Sequence, residues 1–374
     1  MGNKSRKRKA AALEAVAAAT IFEPEPDTRN PAKLQRSNSV PGTVTQPQAA
    51  AAAQVTPDAP SKGRHYTVSM AVPGSVIDNA QTTELATLMA GQIARTAAIF
   101  NVDEVVVIDD ARHTQEGAVG KGAAFLARVL QFMETPQYLR KALIPMHKDL
   151  RLAGMLPPLD APHHMRASEW KPYREGVILS SDPAEGSLVD VGLDKSAHIP
   201  QAVRSNVRVT VDMGASPTRK TLTSEALGVA GQEVLTATIT SPSTPREVAG
   251  LYWGFSTRIA SGLSAVLSES PFKGGYDLKV GTSEHGTVTP CTELQFPKFQ
   301  HLLIAFGGPQ GLELCMMNDR ALADQPASAK RDPRPLFDMY VNTCPNQGSR
   351  TIRTEEAVLI SMAYFQPAII SAAL

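Results

Sequence analysis

Four charged residues stand within seven positions near the end of the chain: Arg350, Arg353, Glu355 and Glu356. They follow a polar loop made of Asn342, Thr343, Pro345, Asn346, Gln347 and Gly348. A guanidinium presents a rigid fork of donors suited to an oxyanion or a phosphate. A carboxylate beside it can orient that fork or accept a proton. A second reading is helix capping, with Ser349 or Thr351 as the cap and Glu355 and Glu356 as first-turn acids favoured by the helix dipole. The short apolar run Met339–Val341 before the loop predicts a strand, and the apolar run after the glutamates predicts a helix. A strand, a polar glycine-bearing loop and a helix in succession present backbone N–H and C=O groups to a small ligand.

Two further units of this kind lie upstream. Leu302–Phe306 (LLIAF) reads as a buried strand and runs into Gly307, Gly308, Pro309, Gln310, Gly311, Leu312 and Glu313. Tyr276–Val280 (YDLKV) runs into Gly281, Thr282, Ser283, Glu284, His285 and Gly286. Glycines let a backbone turn sharply and approach a ligand closely. None of the three loops is a GxGxxG fingerprint or a Walker loop, so a Rossmann or P-loop site is not expected.

In this order the three loops resemble those of the SPOUT class of RNA methyltransferases. FGGPQGLE (Phe306–Glu313) and GSRTIRTEEA (Gly348–Ala357) are similar to motifs of the bacterial enzymes that methylate nitrogen 3 of uridine in ribosomal RNA. Over residues ~64–374 the chain is closer to the eukaryotic and archaeal SPOUT-domain methyltransferase family. VPGSVIDNAQ (Val72–Gln81), AGQIARTAAIFNVDEVVV (Ala90–Val107), LDAPHHMR (Leu159–Arg166), GLYWGF (Gly250–Phe255) and YVNTCPNQGSRTIRTEEA (Tyr340–Ala357) carry that likeness.

The resemblance implies an α/β fold with a largely parallel sheet, helices on both faces and a trefoil knot at its C-terminal end. It implies S-adenosylmethionine held in the knot loops, mostly by backbone groups. The matching positions are Gly281, Thr282 and Ser283; Phe306, Gly307, Gly308, Gly311, Leu312 and Glu313; and Asn342, Thr343, Cys344, Gln347, Gly348, Ser349, Thr351 and Ile352. It also implies a homodimer in which Arg95 of one subunit reaches the reacting nucleotide beside the knot of the other. On the helical wheel Arg95 falls at the edge of an apolar face, near Leu88. The asparagine that the ribose-methylating branch carries six residues before its arginine is Met89 here, which points to a base as target. Arg350, Arg353 and Glu355 are the remaining catalytic candidates. The resemblance therefore implies an RNA methyltransferase acting on ribosomal uridine N3. The rival is a non-catalytic scaffold of the same fold in ribosome assembly or at the mitotic spindle.

Composition neither supports nor excludes RNA as a partner. The chain carries 37 Lys and Arg against 36 Asp and Glu, a formal net charge of +1. Residues 1–63 hold nine basic and five acidic groups, so the remainder is slightly acidic. A local basic groove suffices for RNA. The tail is rich in Ala, Pro, Ser and Gln and reads as disordered. Its cluster Lys4, Arg6, Lys7, Arg8 and Lys9 fits a nuclear or nucleolar import signal. No apolar stretch approaches the ~18 residues of a membrane span, and no signal peptide is expected. Cys291, Cys315 and Cys344 lack paired spacing, so neither a disulfide nor a zinc site is expected. The pair His163–His164 lacks further ligands for a metal and is read as loop packing.

The rest of the chain supplies the frame. Thr67–Val72, a helix over 83–100 with Leu85, Leu88, Met89, Gln92, Ile93, Thr96 and Phe100 on one face, and a buried strand Glu104–Ile108 predict a β-α-β start. Helices are expected over 121–134 and 136–143. Short β-rich runs over ~172–246 predict an inserted OB-like barrel, a candidate RNA contact through Arg204, Arg208, Arg219 and Lys220. It separates an N-terminal part of the α/β domain, 64–171, from a C-terminal part, 247–374. Leu251–Ser268 is expected to be helical.

Overall fold

In the computed structural model, residues 63–111, 118–223, 225–322 and 332–373 are described. The basic cluster Lys4–Lys9 and the alanine tract Ala49–Ala53 lie outside them.

Thr67–Pro73 is buried at every position and forms β1, at the centre of a six-stranded sheet. Burial on both sides is what a parallel strand covered by helices requires. Thr83–Ile99 (α1) and Glu104–Ile108 (β2) follow, then Lys121–Glu134 (α2) and Gln137–Leu143 (α3). A second sheet takes up Tyr173–Asp182 (β3), Gly186–Asp190 (β4), Ala197–Ile199 (β5), Arg208–Asp212 (β6), Arg219–Leu222 (β7), Gln232–Thr236 (β8) and Thr238–Thr240 (β9). The chain then runs through Thr244–Ala249 (α4), Ser256–Ala260 (β10), Leu263–Ser268 (α5) and Leu278–Val288 (β11). It ends with His301–Ala305 (β12), Gly311–Asn318 (α6), Met339–Asn342 (β13) and Thr354–Ala372 (α7).

The first sheet has the order β10-β2-β1-β12-β11-β13, and all five neighbouring pairs are parallel. Alternate residues face opposite sides. Val68, Met70 and Val72 of β1 join α1, α2 and α7 in one apolar core. Ala71, with Val106 and Ile108 of β2, joins α5 and α6 in the other. Helices thus cover both faces, as expected. The ladder gives the order and direction of the strands; the knotted threading rests on the resemblance.

Three expectations are corrected. Leu251–Ser268 is not one helix. Ser256–Ala260 adds a strand to the edge of the sheet, with Thr257 opposite Val105, and only Leu263–Ser268 is helical. The apolar pattern there is common to both states, and pairing with β2 decides it. The buried face of α1 is also rotated. Ala86, Ala90, Ile93, Ala94 and Ala97 face the core, while Leu85 and Leu88 are exposed. Small side chains let the helix lie close to its neighbours. Finally, Gly281–Gly286 does not form an open loop. It lies within β11, which pairs with β13 across a register shift between Thr282 and Thr287. A Cβ at Gly281 would stand 2.5 Å from the Tyr340 ring, so that glycine permits close strand packing.

The second sheet runs β7-β8-β5-β4-β3-β6-β9 and is antiparallel except where β5 meets β8. The pairings form an open ladder whose end strands, β7 and β9, each pair with one neighbour among the described residues. Ile178, Val189, Val191, Ile199 and Val211 fill its core.

A buried polar network ties this sheet to the α/β domain. Arg208 of β6 donates to both Glu134 oxygens at 2.6 and 2.9 Å, and to Glu175 Oε2 at 2.5 Å. Glu175 Oε1 also accepts from Thr210 Oγ1 and Trp253 Nε1, each at 2.6 Å. His163 Nε2 lies 3.1 Å from Glu134 Oε1, and His164 Nε2 lies 2.7 Å from the Glu134 carbonyl oxygen. The histidine pair therefore packs against Glu134. Among the described residues no group of three or more His, Cys, Asp or Glu could hold a metal ion.

Candidate functional site: a cleft at the carboxyl ends of three adjacent strands

β12, β11 and β13 are parallel neighbours, so their carboxyl ends emerge at the same edge of the sheet. Ligands of open α/β sheets bind outside such ends. A cleft of about 920 Å³ opens there.

The loop after β12 turns on Gly311, whose φ of +74° is open to glycine at little cost. The Gly311 N–H donates to the Gly308 carbonyl at 2.9 Å. A Cβ at Gly307 would meet the Gly311 backbone at 2.8 Å, so the loop closes only around a bare backbone. After β13, Asn342 Oδ1 accepts from the Cys344 N–H at 3.0 Å, and its amide donates to the Glu284 carbonyl at 2.9 Å. The latter bond ties the end of β13 to β11.

Helix α7 closes the site. The Glu356 carboxylate accepts the Arg353 N–H at 2.9 Å and caps the first turn. Thr354 Oγ1 donates to the Gly307 carbonyl at 3.1 Å, and the Thr343 and Ser361 hydroxyls lie 2.7 Å apart. The helix is thereby fastened to both glycine-bearing loops.

Many of the expected residues meet in this cleft. Thr282, Ser283, Phe306, Gly307, Gly308, Gly311 and Glu313 line it. So do Asn342, Thr343, Cys344, Gln347, Thr351, Ile352, Arg353 and Glu355. Others stand elsewhere. Gly281 packs under Tyr340, and Leu312 is buried in the core on the opposite face of the sheet from α7. Gly348, Ser349 and Arg350 are outside the lining and exposed. Arg95 is not brought to the cleft: its Nη1 donates to the Leu159 and Pro158 carbonyls at 2.6 and 3.2 Å.

Sequence reasoning missed the facing wall. Val76 and Asn79 from the 3-10 turn Gly74–Asn79, with Leu85 and Met89 of α1, line that side. The signal was the alanine face of α1, which leaves its leucines without a place in the core.

The lining carries Glu284, Glu313 and Glu355 against one arginine, Arg353, a balance that favours a cationic ligand. Glu355 is 5 % exposed, and its Oε2 has no hydrogen-bond partner. Its other oxygen lies 4.0 Å from Arg353 Nη1. Arg353 itself is 73 % exposed at the rim. Burial pushes the Tyr340 hydroxyl up to about 12, so it stays protonated at neutral pH.

A parallel sheet with helices on both faces, and two glycine-bearing loops that meet the Thr282–His285 stretch of β11 around one cleft, defines an α/β protein with room for a small ligand at its strand ends. Comparison with known proteins makes the class specific. A family described as "Putative RNA methyltransferase" matches residues 67–365. A 28S rRNA (uridine-N(3))-methyltransferase of Homo sapiens is 47% identical over 323 residues, covering 83% of this chain and 81% of its own. Its counterpart in Mus musculus is 46% identical over 318 residues, covering 82% and 78%. A solved SpoU methyltransferase from Streptomyces viridochromogenes, in complex with AdoMet, covers 83% of this chain and 60% of its own. Its 12% identity and TM-score of 0.29 carry no argument about the fold. The chain belongs to this family of RNA methyltransferases. The expected family is thus borne out, and both relatives carry the name of an enzyme rather than of a scaffold.

Proposed function

We propose that this protein transfers the methyl group of S-adenosylmethionine to nitrogen 3 of a uridine in large-subunit ribosomal RNA. The reading is carried by the cleft at the ends of β12, β11 and β13, joined to the shared name of the relatives. The residues present fit the donor. The bare backbone at Gly307 and Gly311 leaves room for close approach, and Glu284, Glu313 and Glu355 favour its positive charge. Bound there, the donor supplies a sulfonium methyl carbon as electrophile.

The chain's own residues do the rest. Val76, Leu85, Met89 and Ile360 give the cleft an apolar wall that limits water. Arg353 stands at the rim, where a guanidinium suits the uracil carbonyl oxygens or a phosphate. Arg350, beyond the rim, is assigned to RNA backbone contact. The principal gain is alignment of the nucleophile with the methyl carbon together with stabilisation of charge on the base.

A homodimer belongs to this reading. It is supported by apolar side chains left exposed on the two packed helices: Leu85 and Leu88 of α1, and Leu359 and Ile370 of α7. Arg95 would then serve the partner subunit. Nuclear or nucleolar residence rests on the cluster Lys4–Lys9, and RNA contact by the second sheet rests on Arg204, Arg219 and Lys220.

The test is calorimetric titration with S-adenosylmethionine and S-adenosylhomocysteine, followed by mass spectrometry of ribosomal RNA from cells lacking the protein. Micromolar binding and loss of one methylated uridine, restored by the wild-type chain, are expected. An unchanged modification map would overturn the reading.

A further inference from the structure

We propose that Glu355 is the general base that removes the N3 proton, and that with Arg353 it reads uracil by its imide edge. This rests on the assignment of uridine N3 as the acceptor.

Glu355 is the second residue of α7 and lines the cleft, yet it is almost wholly buried and its Oε2 is enclosed without a donor. Buried polar atoms are nearly always paired, and an orphaned one costs stability. Helix capping does not account for the arrangement. The neighbouring Glu356 already takes the Arg353 N–H from an exposed position, and a first-turn acid has no need of burial. The free lone pairs are therefore matched to a donor on a bound molecule.

Uracil supplies that donor. Its imide edge runs acceptor, donor, acceptor: one carbonyl, N3–H, the other carbonyl. Glu355 and Arg353 stand side by side, 4.0 Å apart, as an acceptor next to a donor fork. Oε2 accepts N3–H while the guanidinium holds a flanking carbonyl. Cytosine has no N3 proton to give and presents an acceptor there instead, so the carboxylate rejects it.

The step balances. The N3–H bond breaks and its proton passes to Oε2. The freed N3 pair forms the N–CH3 bond, and the pair of the breaking C–S bond returns to sulfur, leaving a neutral thioether. Arg353 offsets the charge that spreads onto the carbonyl oxygens. Glu355 loses its proton to solvent when the products leave.

The experiment compares wild type, Glu355→Gln and Glu355→Ala in single-turnover methylation of an rRNA fragment from pH 6 to 9.5. S-adenosylhomocysteine affinity is measured by calorimetry and RNA affinity by anisotropy. Each variant is expected to lose about 10²–10⁴-fold in rate near neutrality, with both affinities within threefold of wild type. The loss should shrink as pH rises and N3 deprotonates in solvent. A fragment carrying 5-fluorouridine, whose N3 is more acidic, should recover much of the rate. An undiminished rate, a loss independent of pH and of the fluorine, or a tenfold drop in S-adenosylhomocysteine affinity would each overturn the role of Glu355 while leaving the proposed reaction standing. Wild type that binds the donor but leaves the uridine untouched sinks both.

Discussion

Gly307 shows how much of this site depends on what is missing from a side chain. A methyl group there meets the Gly311 backbone at 2.8 Å, and no rotamer relieves a Cβ clash. Gly307→Ala is expected to open the loop and weaken S-adenosylhomocysteine binding at least about tenfold, equivalent to about 1.4 kcal/mol. Calorimetry checks this, and unchanged affinity would mean that the loop does not hold the donor. Gly308 is a milder case: its Cβ would lie 3.2 Å from Ser75 Oγ, a side chain able to give way. Arg95 was legible as a boundary residue, but not its partners. The carbonyls of Pro158 and Leu159 lie more than sixty residues away, and no local pattern encodes them.

Among elements, the junction of α2, β6 and the Trp253–Gly254 turn has the sharpest energetics. Glu134 and Glu175 are buried, and Arg208 serves both. Arg208→Met removes the guanidinium shared by two buried carboxylates, at a cost of about 3–5 kcal/mol. Gly254 holds a φ of +84°, and a Cβ there would lie 2.4 Å from Glu134 Oε1. Gly254→Ala is therefore expected to cost about 2–3 kcal/mol. Urea titration should report both losses; a change below about 0.5 kcal/mol in either would discount the network. The same junction fixes the pH response. Burial alone would raise the Glu134 carboxyl, but Arg208 and His163 outweigh it and hold it at about 2. Its stability contribution is complete above the ordinary value near 4.5 and is lost as pH falls toward 2. Burial, with His163 beside it, pulls the His164 imidazole down to about 4. That contribution is complete above 6.5 and is lost as pH falls toward 4. The melting temperature should hold near neutrality and fall in two stages. His164→Gln should flatten the first stage, between pH 6.5 and 4, and spare the second. A single unchanged transition in the variant would reject the assignment.

At the scale of the molecule, the exposed apolar residues on α1 and α7 bear on assembly. Leu359 and Ile370 lie eleven residues apart on α7, about three helical turns, and so share a face. If that face joins two subunits, the double variant Leu359→Asp, Ile370→Asp should sediment as a folded monomer. The reading of Arg95 across the interface then predicts that methylation falls with the dimer while donor binding largely survives. A variant that still sediments as a dimer would place the interface elsewhere.

The sequence by itself determined the elements with strong local signals. Glu104–Ile108, continuously apolar after its first residue, reads as a covered strand, and the apolar run from Thr354 onward reads as a helix. The three glycine-bearing segments named the region of the cleft, because glycine is needed where backbones approach closely. What only tertiary structure decided was contact between distant segments. β11 lies between β12 and β13, an order that no periodicity contains. Thr67 pairs with His301, and Glu104 pairs with both Ser69 and Ser256. That pairing turned Ser256–Ala260 into a strand and drew Gly281–Gly286 into the sheet. Close packing rotated α1 onto its alanines and freed Leu85 for the cleft wall. Local propensity sets what a segment can be. Parallel pairing and burial, which act between residues far apart in the chain, set what it becomes and which loops it brings together.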